Sequence, residues 1–319
     1  MEHTLPRLWL APMAGYTDTA MRALCHAMGA EGTVSEMISA KAVVFRDKKT
    51  VALGRTTPAE GPVLLQLFGK EPAVMAEAAA MLSDGYCGSR PYGIDINMGC
   101  PVPKIAGNGE GSALLRSPTL VHDIVAAVRA ALPATLPLTV KIRLGWDRES
   151  RNFLEVADAV VRGGASALFV HGRTRTEMYS GIADWEAIAA VREAAPIPVI
   201  GNGDITSAAV AERRLAESGC YGLMIGRGAV GNPFLFREVS ALLRGEPLPP
   251  PPSREERIRT ALLHLADAIR DKGEAVAVRE CRKVIAAYTH GMKGAASVRF
   301  AVNAATTYRE IEEILLAIE

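Results

Sequence analysis

An alternation of short apolar runs with longer amphipathic stretches fills about the first 240 residues and restricts the fold most strongly. The apolar runs contain few polar residues, which indicates strands buried on both faces, as in a parallel sheet under helices. Eight such units predict an α/β fold, a closed (β/α)8 TIM barrel; an open doubly wound sheet, which usually has fewer strands, is the alternative. The predicted strands are residues 8–14, 33–36, 63–68, 94–97, 138–143, 167–171, 198–201 and 222–226.

The chain changes character after residue 243. Residues 245–253 are rich in proline and cannot form a helix interior, so they are expected to act as a stiff spacer. The remainder has no strand-like run and predicts about four helices, with breaks near Gly273 and residues 291–294. We therefore expect a barrel domain at 1–243, a linker at 244–253 and a small C-terminal helical domain at 254–319. The predicted helices of the barrel are residues 19–28, 71–82, 119–132, 153–162, 185–194, 207–217 and 233–243.

Composition excludes several classes of protein. Hydrophobic residues make up 49% and charged residues 22% of the 319, typical of a globular protein with a sizeable core. The net charge of +1 means that any nucleic-acid footprint must be local. Five scattered cysteines without CxxC spacing indicate neither a zinc site nor a disulfide framework, and we expect no metal and a cytoplasmic location. We find no signal peptide and no run of the roughly 18 apolar residues that a membrane helix needs.

Polar or small residues follow seven of the predicted strands. Reactive groups of a barrel lie at these carboxyl ends, so the pattern predicts a polar-rimmed pocket at one face. The segments after the last two strands, Asn202-Gly203-Asp204 and Gly226-Arg227-Gly228, resemble a phosphate cradle; tight turns without a ligand are the alternative. Residues 226–231 also spell GxGxxG, but no acidic strand end follows at the distance that a dinucleotide site needs.

Two further residues stand out by position. Lys141 lies inside a predicted strand, where a charge is costly without an anionic partner; a reduced flavin is one candidate partner, and an ion pair with Asp95 is the alternative. Cys100 lies on a loop between Gly99 and Pro101, where its thiol can reach a substrate and act as a general acid. The other cysteines lie in or beside helical stretches and are expected to be inert. His171, at a strand end, is a candidate to hydrogen-bond a phosphate or ribityl group.

These residues together resemble the tRNA-dihydrouridine synthase family, and the pattern is closest to its bacterial B-type branch. In the tail, Arg282-Lys283 and Tyr288-Thr289 also match, whereas Val284 and Ala287 depart from the histidine and tryptophan common in the family. The matching barrel segments are Leu10-Ala-Pro-Met-Ala-Gly15 with Thr17-Asp18, Gln66-Leu-Phe-Gly69, Asp95-Ile-Asn-Met-Gly-Cys-Pro101, Lys141-Ile-Arg143, His171-Gly-Arg-Thr174, Gly201-Asn-Gly-Asp204 and Gly226-Arg-Gly228.

The resemblance implies a flavin enzyme that reduces uridine in tRNA. NADPH would reduce a bound FMN, the flavin would give a hydride to C6 of uracil, and Cys100 would protonate C5. Asn97 and Arg143 would hold the uracil, and the helical domain would grip the tRNA through Arg282 and Lys283; a monomer suits one extended RNA. The residues implied to contact FMN are Pro12, Met13, Ala14, Gln66, Lys141, His171, Asn202, Gly203, Asp204, Gly226 and Arg227.

Two other functions compete with this interpretation. One is an FMN barrel acting on a small pyrimidine, as dihydroorotate dehydrogenases do, although a small substrate does not need a helical tail. The other is a non-catalytic RNA-binding protein on an enzyme fold, which would bind no flavin. The barrel fold alone does not distinguish among these three functions, because barrels host many chemistries.

Overall fold

The computed structural model describes residues 5–318 and contains one closed parallel barrel. Strand β1 pairs with β2 on one side and with β9 on the other, and β2 also pairs with β4, so the sheet has no free edge. The prediction of a TIM barrel is therefore confirmed, and the open-sheet alternative is wrong. The strands are β1 (Leu8–Leu10), β2 (Gly32–Val34), β3 (Ile38–Ser39), β4 (Val63–Phe68), β5 (Gly93–Met98), β6 (Leu138–Arg143), β7 (Ala167–His171), β8 (Val199–Asn202) and β9 (Gly222–Ile225).

The nine strands fill eight barrel positions, because β2 and β3 both pair with β4 and follow one another along it. The predicted second strand at 33–36 is wrong in its bounds: the chain leaves the sheet after Val34 and returns at Ile38. Gly32, the first residue of β2, lies close against the Trp9 ring, and a Cβ there would lie 2.5 Å from the ring. The predicted first strand, 8–14, is also too long, since backbone turns at Met13 take the chain out of the sheet.

Helices cover the outside of the barrel and continue into the tail. The segment between residues 37 and 57, which shows no clear sequence pattern, contains two short helices. Additional short 3-10 helices span Pro58–Glu60, Gly111–Arg116 and Arg227–Ala229. The helices are α1 (Thr19–Ala27), α2 (Ala40–Val44), α3 (Lys48–Leu53), α4 (Pro72–Ser83), α5 (Pro103–Ala106), α6 (Pro118–Ala131), α7 (Phe153–Arg162), α8 (Trp185–Ala194), α9 (Ala208–Ser218), α10 (Phe234–Leu243), α11 (Arg254–Lys272), α12 (Glu274–Ala287), α13 (Ala295–Ala304) and α14 (Tyr308–Leu316).

Side chains alternate between two apolar layers along each barrel strand. Leu8 and Leu10 join the layer between strands and helices, whereas Trp9 between them fills the barrel interior. Inside, the Trp9 and Phe169 rings meet edge to face with centroids 5.3 Å apart. Trp9 Nε1 also donates to the Pro6 carbonyl, so its buried N–H is satisfied. The interior is thus packed, and in such barrels the chemistry lies at the carboxyl ends of the strands.

The tail contains four helices, α11 to α14, after a helix-free stretch that follows Leu243. Its apolar cluster is not made of tail residues alone, because Ala20 and Leu24 of α1 belong to it. Lys272 Nζ forms an ion pair with Asp18, the N-cap of α1, at 2.6 Å. Gly231 approaches α12 so closely that a Cβ there would lie 2.4 Å from the carbonyl carbon of Ala287. Tail and barrel therefore share a packed interface.

No helix in the described part of the chain is long and apolar enough to cross a membrane.

Candidate active site

The residues singled out at strand ends are gathered at one mouth of the barrel. In the loop after β1, Pro12 and Met13 are half-buried and Ala14 is exposed. The loop is fixed by Thr17, whose hydroxyl accepts from the Met13 N–H at 2.9 Å, and by Glu36, whose carboxylate accepts from the Gly15 N–H. This segment forms one side of the mouth, while the polar ends of β4 to β9 form the rest.

Lys141 is a buried ammonium group with a neutral partner. Its Nζ donates to Asn202 Oδ1 at 3.1 Å, and Asn202 Nδ2 in turn donates to the Met224 carbonyl at 2.8 Å. Burial lowers the pKa of Lys141 from its ordinary value of 10.5 to about 7, and the positive charge of Arg143 contributes. Among the described residues no hydrogen bond or ion pair within 4.0 Å joins Lys141 and Asp95, although the Asp95 charge acts on the lysine at longer range and raises its pKa.

A chain of polar side chains runs from Asp95 to the cysteine loop. Gln66 Nε2 donates to Asp95 Oδ2, and Asn97 Nδ2 donates to Gln66 Oε1, both at 2.7 Å. Asn97 Oδ1 then accepts from the N–H of Cys100 at 2.9 Å and from that of Gly99 at 3.2 Å. Burial raises the pKa of Asp95 to about 6, although hydrogen bonds from Thr139 and Gln66 oppose the rise. The chain fixes the backbone that carries Cys100.

Cys100 differs from the other four cysteines because it is half-buried at the mouth, while they are buried in the core. Its carbonyl accepts from both the N–H and the hydroxyl of Ser112, which holds the loop from the other side. Burial raises the pKa of the thiol, and the nearby charges of Arg143 and Lys141 only partly offset this. The thiol is therefore protonated at neutral pH, the form that a general acid requires.

Arg143 and His171 lie at the ends of neighbouring strands. Arg143 donates to the carbonyls of Gly99 (2.8 Å), Thr174 (2.9 Å) and Met178 (2.8 Å), so it joins the cysteine loop to the loop after β7. His171 is buried, and burial lowers its pKa well below 6.5, with Arg143 and Lys141 adding to the effect. A neutral imidazole can donate or accept a hydrogen bond without adding charge to an already cationic pocket.

The two glycine turns meet at Asp204. Its carboxylate accepts from Arg173 Nη2 (2.7 Å), Arg227 Nη2 (3.1 Å) and the Ala183 N–H (2.8 Å). Packing explains Gly203, because a Cβ there would lie 2.4 Å from the Ala183 Cβ. A Cβ at Gly226, in contrast, would have no neighbour nearer than 3.5 Å. The tight-turn alternative thus accounts for Gly203, but packing does not require a glycine at Gly226.

The structure separates the two predicted tail residues. Lys283 reaches the mouth: its Nζ lies 3.7 Å from the centroid of the Tyr16 ring, in the loop after β1. Arg282 instead donates twice to the Ala305 carbonyl, at 3.0 and 2.5 Å, and caps the end of α13. The two departures from the family pattern lie below this surface, since Val284 is buried and Ala287 packs against Gly231.

Sequence reasoning missed several residues of the mouth. Arg173 is almost fully buried and donates to Asp204 and to the carbonyls of Ser180 and Gly181, which holds the loop after β7 in place. Tyr179 of that loop is half exposed, and both Arg143 and Arg227 lie over its ring, 5.6 and 5.0 Å from the centroid. The His-Gly-Arg spacing is the one sequence signal that could have indicated Arg173.

The fold and this mouth place the chain among the enzyme-bearing (β/α)8 barrels. Solved structures that it resembles include a 2-naphthoyl-CoA reductase (TM-score 0.58, 12% identity, 76% of this chain and 50% of that one). Another is a variant of NCR from Zymomonas mobilis (TM-score 0.51, 18% identity, 76% of this chain and 88% of that one). At these identities the likeness concerns the fold alone.

Sequence comparison gives the family. The family model of dihydrouridine synthase matches residues 9–318, and the chain belongs to this family. It is 42% identical over 304 residues to tRNA-dihydrouridine synthase B of Pseudomonas aeruginosa, covering 94% of this chain and 89% of that protein. It is 39% identical over 294 residues to a probable tRNA-dihydrouridine synthase of Treponema pallidum, covering 90% and 85%. The family expectation, with its bacterial B-type character, is confirmed.

Proposed function

We propose that this protein reduces uridines of tRNA to 5,6-dihydrouridine, with a bound FMN and with NADPH as reductant. The observation that carries the proposal is Cys100, a protonated thiol held on a fixed loop at the same mouth as the buried ammonium of Lys141. The family to which the chain belongs performs this class of reaction. A thiol beside a buried lysine has no evident use in a protein that only binds RNA.

The residues present fit a flavin mononucleotide. Lys141 has only a neutral acceptor in the described structure, so it suits the negative charge that a reduced flavin carries near N1. Gly226 and Arg227, beside Gly203, would offer backbone N–H groups and a guanidinium, oriented by Asp204, to a phosphate at the usual phosphate position of a barrel. Pro12, Met13, Ala14, Gln66, His171, Asn202 and Asp204 complete the proposed cofactor set. When bound, reduced flavin would supply the hydride for C6 of uracil.

The chain's own residues would then orient the base and deliver a proton. The Cys100 thiol would donate its proton to C5, because its raised pKa keeps it protonated at neutral pH. Arg143 lies against the cysteine loop through the Gly99 carbonyl, which suits a donor to a uracil oxygen. Asn97 would act on the same base, or through the loop that its Oδ1 already holds.

The tRNA would reach the mouth with its target base out of the stack, which costs least in a loop. Lys283 lies where a backbone approaching the β1 side of the mouth would meet it. Arg282 would contribute more indirectly, by holding α12 against the end of α13. We further propose a monomer acting in the cytoplasm.

The test compares the wild type with Cys100→Ala and with Cys220→Ala, which removes a buried thiol near the start of β9. The visible spectrum gives the flavin content, and dihydrouridine is then measured in unmodified tRNA with NADPH. We expect flavin in all three proteins, product from the wild type and Cys220→Ala, and a severe loss for Cys100→Ala. Flavin with turnover of a free pyrimidine but no RNA product would overturn the proposal in favour of a small-molecule reductase. Absence of flavin after FMN is added would overturn the cofactor site.

A further inference from the structure

A second cationic feature lies at the mouth, separate from the residues proposed to bind the cofactor and the uracil. The guanidinium carbons of Arg116 and Arg175 lie over the ring of Trp146, 5.1 and 4.5 Å from its centroid. Each residue follows the carboxyl end of a different strand, β5, β6 or β7, so all three belong to the mouth face. We call these three residues the Arg–Trp surface.

The backbone holds the Arg–Trp surface in place. The Gly145 carbonyl accepts from the Arg175 N–H and the Trp146 carbonyl from the Thr176 N–H, both at 3.0 Å. Gly145 also forms an antiparallel bridge with Arg151. The loops after β6 and β7 are therefore joined beside the indole, and stacking on it restricts the rotamers of both arginines. Prepositioned guanidinium groups lose less entropy when they bind an anion.

The charges around the Arg–Trp surface are unevenly paired. Arg148 binds Glu177 at 3.0 Å, and Arg151 binds Asp184 at 2.7 Å. Within the described part of the chain, neither Arg116 nor Arg175 has a carboxylate oxygen within 4.0 Å, and Arg175 Nε has no hydrogen-bond partner.

The acids that face this pair do not neutralise it. Asp147 accepts from the N–H and hydroxyl of Ser150 and feels Arg116 only at longer range. Glu177 is already engaged by Arg148 and by Thr174. Two cations on one ring repel each other, so an anion bound by either group would be favourable. Arginine forks match the geometry of phosphate oxygens.

Barrel geometry relates the Arg–Trp surface to Lys283. In the order β1, β2 with β3, β4, β5, β6, the fifth position of eight lies opposite the first. Lys283 contacts the loop after β1, and Trp146 lies in the loop after β6. A base that enters the mouth between them therefore has one cationic group on each side.

We propose that the Arg–Trp surface binds RNA phosphates on the side of the target uridine opposite Lys283. This inference rests on the proposed function, since it assumes that the partner is the tRNA substrate. The Trp146 ring holds the two guanidinium groups at a fixed separation, and each contacts a phosphate next to the extruded nucleotide. The barrel thus contributes the Arg–Trp surface to tRNA binding, and the tail contributes Lys283.

The test uses Arg116→Gln/Arg175→Gln, which keeps side-chain length and removes both charges. The matched control, Arg162→Gln/Arg213→Gln, removes two exposed arginines that are paired with acids near the opposite end of the barrel. The dissociation constant for unmodified tRNA is measured as a function of salt concentration. Flavin content and NADPH oxidation without RNA report on the fold and on the cofactor site.

We expect the Arg116/Arg175 variant to bind tRNA at least ~10-fold more weakly. Its log–log salt slope should fall by about 1.5–2, and each single variant should lose about half of that. The control should match the wild type, and flavin properties should not change in any variant. Wild-type affinity and slope in the double variant and in both single variants, or an equal loss in the control, would overturn the inference. A wild type that binds tRNA but forms no dihydrouridine would instead contradict the proposed function.

Discussion

The ammonium of Lys141 and the amide oxygen of Asn202 lie 3.1 Å apart although their strands, β6 and β8, are separated by β7. Side chains of alternate barrel strands share one interior layer, which brings the two together. Because Asn202 is neutral, the hydrogen bond orients the ammonium without neutralising it. The barrel interior therefore places an amine with a pKa of about 7, able to carry a positive charge, where the cofactor is proposed to bind.

Replacement of Lys141 by methionine should lower flavin affinity by about 10-fold or more, since a charge-assisted contact is lost. It should also alter the pH dependence of stability in the flavin-free protein. The folded lysine, with a pKa of about 7, releases its proton while the unfolded chain keeps it up to its ordinary 10.5. The unfolded state then binds more protons, so stability should rise with pH across this window.

Urea unfolding of flavin-free protein between pH 7 and 10 measures this rise. The Lys141→Met variant should lack the Lys141 contribution, and Lys48→Met, at an exposed lysine of α3, should behave as the wild type. If the wild type and Lys141→Met show the same pH dependence of stability, the titration of Lys141 does not cause the rise in stability with pH.

Breaking the buried ion pair of Arg22 and Glu60 should lower the free energy of unfolding more than breaking an exposed ion pair. Arg22 Nε lies 2.6 Å from Glu60 Oε2, and both side chains are at most 2% exposed. Arg22→Met leaves the buried Glu60 carboxylate without a cation, with only the Thr57 N–H still donating to it, which should cost about 3–5 kcal/mol in the free energy of unfolding. Arg162→Met, at an exposed pair with Asp158, should cost at most about 1 kcal/mol. Equal losses in urea unfolding would mean that Glu60 finds water or another partner.

Gly231→Ala should weaken the contact between barrel and tail. Gly231 and Gly245 have nearly the same φ, +70° and +69°, but only Gly231 has neighbours near a built Cβ. Gly245→Ala should therefore show the conformational cost alone, about 1–2 kcal/mol. Gly231→Ala should cost about 1–3 kcal/mol more, because Ala287 and the backbone of Tyr288 must move. Thermal unfolding of the two variants side by side measures the difference.

Asn97→Ala should release the loop that carries Cys100. We expect kcat for dihydrouridine formation to fall by about 10- to 100-fold, because small misplacements of a catalytic group are costly. Asn97→Asp keeps an oxygen acceptor for the Gly99 and Cys100 amides, so it should retain more activity. Flavin content should stay unchanged in both. A rise confined to KM would mean that Asn97 acts on the uracil and not through the loop.

The sequence predicts the long barrel strands well and the short ones poorly. The bounds of β4, β6 and β7 agree with the apolar runs at 63–68, 138–143 and 167–171, because burial on both faces leaves a continuous signal. The prediction of the second strand fails because Gly32–Val34 contains only three residues and begins with a glycine that the contact with the Trp9 ring requires. Such a contact, across more than 20 residues of chain, leaves no periodic pattern.

For the candidate site, the predicted strand ends indicate which end of the barrel carries the reactive residues, but they do not indicate which side chains contact one another. Lys141 and Cys100 are conspicuous by position alone, one inside an apolar strand and one between Gly99 and Pro101. The sequence cannot show that Arg282 donates to the Ala305 carbonyl, or that Arg116 and Arg175 share one indole. These contacts depend on how separate loops and helices pack. Arg116, Trp146 and Arg175 come from three different loops, so no fixed spacing in the sequence links them.

Helix α1 contributes to two apolar clusters at once. Met21 and Cys25 face the barrel layer, while Ala20 and Leu24 face the tail. A barrel truncated before α11 would expose the apolar side chains of Ala20 and Leu24 on α1. A tail moved to another barrel would lack these two side chains from its apolar cluster. A domain exchange between relatives would therefore have to transfer α1 together with the tail to keep both apolar clusters complete.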